Sequence, residues 1–247
     1  MKNVMSIAAH ETRRIFVSPL AWAVLGVAQA IFGYIFAGSV IQYLRNSDVA
    51  DQSVGVSDYV GSGLYGSATI ILLLILPLMT MRLFSEERKS GTLTLLFSAP
   101  VSLIEIVLGK FFGVMVFIAA MLGLLALMPA SLLLAVDLDI GRLAAGLLGI
   151  FLLTMSFAAC GLFISSLTRE PTIAAVGTFA ALLLIWLLKM PASFDTPFAA
   201  AFDYLSLISH YQNLITGLFD SSDVAYYLLF TTLFLWLTVV RLDMERN

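Results

Sequence analysis

Few residues in this chain have the type and spacing to do chemistry. Glu86 and Glu87 are adjacent, with Arg88 and Lys89 after them. Paired carboxylates can activate water. An intramembrane protease with such a pair wants arginine four residues after the second glutamate, and Gly91 stands there. Gly61, Gly63 and Gly66 match G-x-G-x-x-G, and Gly61 to Gly66 also has P-loop glycine spacing. A P-loop needs lysine next, but position 67 is Ser67; no strand precedes, and an apolar run follows. The two histidines, His10 and His210, lie far apart in the chain. Neither a metal cluster nor a Ser/His/Asp grouping can be assembled from them. Cys160 is the single cysteine, sits in an apolar run and reads as a small buried hydrophobe. The expectation is a chain with no catalytic residue, no metal and no cofactor of its own.

What positions the remaining charge is a membrane. The 247 residues are 60% apolar and 12% charged, with mean hydropathy +0.99. Soluble domains are about 45–50% apolar and about 25% charged. This arithmetic excludes an ordinary soluble enzyme. The net charge of −3 offers no basic face to nucleic acid.

Six apolar runs read as spans, at residues 19–44, 64–84, 104–136, 143–167, 172–188 and 224–240. They are continuous rather than alternating, so they are helices rather than barrel strands. Residues 1–17 hold Lys2, Glu11, Arg13 and Arg14 and lack the short apolar core of a cleavable signal. On a helical wheel Val4, Ile7, Ala8 and Ile15 share one side, and Lys2, Ser6, His10, Arg13 and Arg14 the other. Glu11 intrudes on the apolar side. The pattern predicts a helix lying in the membrane interface, basic face toward lipid headgroups. With the N-terminus in the cytoplasm, ten of the thirteen Lys and Arg residues face that side. Both termini are then cytoplasmic. No Asp or Glu falls near the middle of a span, which argues against ion-coupled transport and intramembrane catalysis.

Three connections carry more than topology. Segment 45–63 is polar and faces out. Segment 189–223 faces out yet is apolar, with Phe194, Phe198, Phe202, Tyr204 and Tyr211, broken by Pro191, Pro197, Asp203 and His210. It reads as short re-entrant helices capping the bundle. Segment 85–103 is the sharpest. Ser85 is placed to cap a short helix, with the acidic pair in its first turn and the basic pair after it. Gly91 ends that turn. Leu93, Leu95, Leu96 and Phe97 are apolar, and Pro100 stops the segment. The element predicted is amphipathic, charged toward water, and a docking surface for a cytoplasmic partner. Gly109 and Gly113 form a GxxxG that allows close helix contact.

The stretch RLFSEERKSGTLTLLFSAPVS, Arg82 to Ser102, resembles the first cytoplasmic loop of ABC-2 permeases, and residues 106–111 continue it. Residues 161–168 are similar to the end of the fourth span in that family. Residues 204–211, with Gly217, Asp220, Asp223, Tyr226, Tyr227 and 233–238, resemble the gliding-motility-type (GldF-like) subgroup. That subgroup commonly has Arg before the second aspartate, where Ser222 stands here. The resemblance implies an all-α membrane domain of the type V exporter fold, with six spans and an interfacial connecting helix carrying Lys2, Arg13 and Arg14. It implies a coupling interface of Arg82, Ser85, Glu86, Glu87, Arg88, Lys89, Gly91, Thr92 and Pro100, with Arg169 and Glu170 as a second contact. It implies an external re-entrant segment including Phe202, Tyr204, His210 and Tyr211.

The function so implied is the permease subunit of an ATP-binding cassette exporter in a bacterial inner membrane. Two cytoplasmic ATPase subunits would bind ATP and Mg, and a second permease subunit, identical or homologous, would complete the path through the lipid. The alternative is a mechanotransmitter that passes conformational work to an extracytoplasmic partner protein without moving a solute.

Overall fold

The computed structural model describes residues 2–46, 55, 59, 61–93, 100–133, 136, 138–192 and 199–246. Its elements are α1 (Lys2–Val17), α2 (Pro19–Asn46), a π-helical turn (Gly61–Tyr65) leading into α3 (Gly66–Thr80), and α4 (Ser85–Lys89). Then follow α5 (Leu103–Leu132), α6 (Ile140–Leu167), α7 (Pro171–Leu187), α8 (Lys189–Ala192), α9 (Ala199–Leu205), α10 (Leu207–Ile215) and α11 (Ser221–Arg246). The described residues contain helices and turns and no strand.

Among the described residues five helical stretches are long and apolar enough to cross a membrane (α2, residues 63–89 taken as one through α3 and α4, α5, α6 and α11), and α7 is apolar but has 17 residues. At 1.5 Å per residue α7 is about 26 Å long, just under the roughly 30 Å of hydrocarbon. The boundaries differ from the apolar runs where local chemistry sets them. The helix over 143–167 starts earlier, at Ile140, because Asp139 caps it: its carboxylate accepts the Arg142 N–H at 3.1 Å. The run over 64–84 breaks after Thr80 into a turn before α4. Most of segment 45–63, the loop residues Leu95, Leu96 and Phe97, and Phe194, Pro197 and Phe198 lie outside the described residues.

The bundle is built on α6, where 67% of the apolar stretch is buried, against 17% for α2 and 22% for α11. Phe157, Ala158, Ala159, Cys160 and Leu162 line its centre, so Cys160 is the small buried hydrophobe its surroundings predict. α3, α7, α10 and α11 pack around it. α1 lies along the first half of α5. There the Gly109 and Gly113 pair does what GxxxG spacing allows. A Cβ on Gly109 would come within 2.6 Å of Ile7, and one on Gly113 within 2.6 Å of Glu11.

The two ends of the bundle differ. α4, the turn at residues 168–170 and the C-terminus of α11 share one end, linked by side-chain pairs. α9, α10 and the π-helical turn share the other, where Tyr211 donates to the Tyr65 carbonyl at 2.8 Å. This places the short helices of 199–217 as a cap on the far end.

Candidate functional site

α4 is five residues long and holds its shape through neighbours. Ser85 does not cap it. The cap position is Phe84, with no side-chain bond. The Phe84 and Ser85 N–H groups instead donate to Ser165 Oγ on α6, at 3.1 and 3.2 Å. The Ser165 hydroxyl donates to the Met81 carbonyl at 3.0 Å. With its amide served from across the bundle, the buried Ser85 turns its own hydroxyl to the Met81 carbonyl. Gly91 ends the helix as expected, at φ +72°, a left-handed conformation that suits glycine. The Thr92 N–H and hydroxyl both close back on the Glu87 carbonyl, at 3.0 and 3.3 Å.

The charges of α4 do not all face water, as the amphipathic reading predicts. Glu86 and Lys89 do. Glu87 turns inward and takes the Lys110 ammonium at 2.5 Å. Arg88 turns inward to Glu245 at the end of α11. Lys110, on α5, is 2% exposed and Glu11, on α1, is 3% exposed; they stand 3.5 Å apart. Arg14 pairs with Glu11 at 2.7 Å and lies 3.9 Å from Glu87. The Lys110 ammonium also sits 5.2 Å from the centre of the Phe84 ring. Two carboxylates and two cations thus neutralise one another in one node, with Lys110 and Glu11 buried and Glu87 and Arg14 partly open to solvent. Burial explains the difference: a desolvated charge costs several kcal/mol unless paired, so each inward charge is drawn to an opposite one.

Around this node, Asn3 donates to Glu105 at 3.2 Å, and Ser102 with Glu105 forms a capping box that starts α5. Lys89 reaches Glu170 at 2.7 Å, tying α4 to the turn before α7. Arg82, Arg169 and Pro100 are exposed at the same end. The nine loop residues expected to act together, with Arg169 and Glu170, therefore share one end of the molecule. Arg14 of the predicted interfacial helix joins them, while Lys2 and Arg13 face outward from the node.

At the far end, His210 Nδ1 meets the Asp223 carboxylate at 2.5 Å, and Nε2 meets the Tyr204 carbonyl at 2.9 Å. The imidazole stacks on Tyr226, centroids 4.3 Å apart. Asn213 donates to the second Asp223 oxygen at 3.4 Å. Tyr211 points into the bundle; Phe202 is half-buried and Tyr204 exposed. Nearby, the Ser222 N–H donates to Asp220 at 2.8 Å and holds that carboxyl below the usual carboxylate range.

Sequence reasoning misses Ser165, Glu245 and the joining of Glu11 to Lys110. Two signals were present for the last: Glu11 breaks the apolar side of its helix, and Lys110 interrupts an apolar run. Two opposite charges in unfavourable places are each other's natural partners. The capping box was readable as Ser102-x-x-Glu105. Among the described residues no three His, Cys, Asp or Glu side chains gather as metal ligands.

A search of curated proteins found no match to the chain. A family profile described as ABC-2 family transporter protein matches residues 41–240, which is 200 of the 247 residues and takes in α4, Lys110 and the far cap but not α1 or Glu245. The chain belongs to the ABC-2 family of transporter membrane proteins.

Proposed function

We propose that this permease subunit takes its energy from a separate ATPase that docks at the charged end, and that it drives export. The observation that carries the reading is the Glu87–Lys110–Glu11 node. It fixes a five-residue helix, too short to stand alone, to both α1 and α5, while Arg88 fixes it to α11. A push on the exposed face of α4 then reaches three long elements at once. Glu86, Lys89, Arg82, Arg169 and Glu170 form the exposed face available to a partner.

The same reading places the charged end in the cytoplasm, with six crossings, both termini inside, and a bacterial inner membrane around them. ATP and Mg belong to two ATPase subunits, and a second permease subunit completes the assembly. The block at 204–238 supports the gliding-motility-type subgroup. The test is to purify the tagged chain from its source membrane and measure ATP hydrolysis by what comes with it. Glu87→Lys should leave insertion and ATPase recovery intact and remove the permease's stimulation of hydrolysis. Stimulation at the wild-type level in Glu87→Lys would sink the coupling role, and recovery of no ATPase would sink the partner.

A further inference from the structure

α1 carries two adjacent arginines with opposite fates. Arg14 turns into the charged node. Arg13 lines a groove of about 810 Å3 between α1 and α5, with Met5, Ala9, Leu108, Phe112 and Val116. The walls are apolar and open sideways: Phe112 and Val116 are 48% and 49% exposed. Among the described residues no carboxylate pairs with Arg13. An apolar trough with one unneutralised cation suits a ligand with a long apolar body and a negative head.

The depth of the groove fits the same ligand. α5 has 30 residues and is about 45 Å long, so about 15 Å of it lies outside a hydrocarbon layer of about 30 Å. Lys110, Glu11 and Glu87 mark where water-compatible chemistry ends. With α5 upright and its excess length at the charged end, the membrane boundary falls near Lys110 and Gly113. α1 is pinned at that level: the Thr12 hydroxyl donates to the Gly113 carbonyl at 3.3 Å, and Glu11 packs on Gly113. On that placement Arg13 stands beside them at headgroup depth, with Val116 on the hydrocarbon side.

We infer that this groove binds an acidic phospholipid, its phosphate on Arg13 and an acyl chain along Phe112 and Val116. The other face of α1 carries Glu11 into the node, so a bound lipid braces the helix that holds α4. That consequence rests on the proposed coupling role; the binding itself does not.

The test is native mass spectrometry of the full chain, released from neutral detergent in equal amounts of phosphatidylglycerol and phosphatidylcholine. The wild type is expected to retain phosphatidylglycerol preferentially. Arg13→Gln should lower that preference about five-fold, the loss of about 1 kcal/mol per basic residue at an anionic surface. Arg13→Lys should keep most of it, and Arg246→Gln should leave it unchanged. Equal retention of the two lipids by the wild type, or an unchanged preference in Arg13→Gln, overturns the proposal. So does a Phe112→Cys chain that cross-links to a second copy in phosphatidylglycerol vesicles, because protein then fills the groove. The assay needs no ATPase, so its failure is separate from failure of the coupling reading.

Discussion

The two ends of this bundle solve the same problem in opposite ways. Each buries ionisable groups, and each ties short helices to long ones. At the charged end the ties are ion pairs between residues far apart in sequence: Glu11 with Lys110, Glu87 with Lys110, Arg88 with Glu245. At the far end they are aromatic stacking and bonds to backbone carbonyls: His210 on Asp223 with Tyr226 stacked beside it, and Tyr211 on the distant Tyr65 carbonyl. Ion pairs can lengthen and exchange while their elements shift; stacked rings and a bond to a backbone carbonyl hold one geometry. On the coupling reading proposed above, the charged end receives movement and the far end acts as a lid.

The largest break in this contrast is Lys110→Ala. It leaves the buried Glu11 and the partly buried Glu87 close together with Arg14 as their one cation, at an expected cost of about 3 kcal/mol. Hydrogen exchange should rise in α1 and α4 together, and the unfolding midpoint in detergent should fall. His210→Ala comes next, because it strands the buried Asp223; a loss of about 1.5–3 kcal/mol is expected. Here exchange should rise in 199–217 and stay unchanged in α4. A rise at both ends would erase the distinction between a receiving end and a lid.

Gly113→Ala sharpens the charged side of the comparison. Its methyl group would press on Glu11 and the Ala8 carbonyl, forcing α1 off α5 at about 1–3 kcal/mol. Protease cleavage within α1 should become faster. The smallest effect is expected from Lys89→Gln. Its pair with Glu170 is about half exposed on both sides, so stability should change by less than about 1 kcal/mol. Recovery of the ATPase should fall all the same, since this residue lies on the proposed docking face. A large stability loss with normal recovery would move Lys89 from the docking face to the framework.

The membrane class, a helix over the first seventeen residues, the turn at Gly91 and the short helices of the far cap were all legible in the chain. Apolar run length and turn chemistry are local properties, and local properties can be read in order. The facing of the charges on α4 was not legible. Glu86 and Glu87 are identical in type, and only the position of Lys110, twenty-three residues away, turns one inward and leaves the other in water. Ser85 was misread for the same reason: its backbone partner, Ser165, comes from another helix. The charged residues of the proposed docking face stand out in the sequence, but their anchoring required the packing of α1, α5, α6 and α11.

The central claim is that α4 transmits force because Lys110 clamps it to α1 and α5. The most direct measurement is ATP hydrolysis by the co-purified ATPase, reconstituted with wild-type, Lys110→Arg or Lys110→Met permease at matched recovery. The account predicts that Lys110→Arg keeps most of the permease-dependent stimulation and Lys110→Met loses it while both chains stay together. Wild-type stimulation in Lys110→Met, with the complex intact, would contradict it.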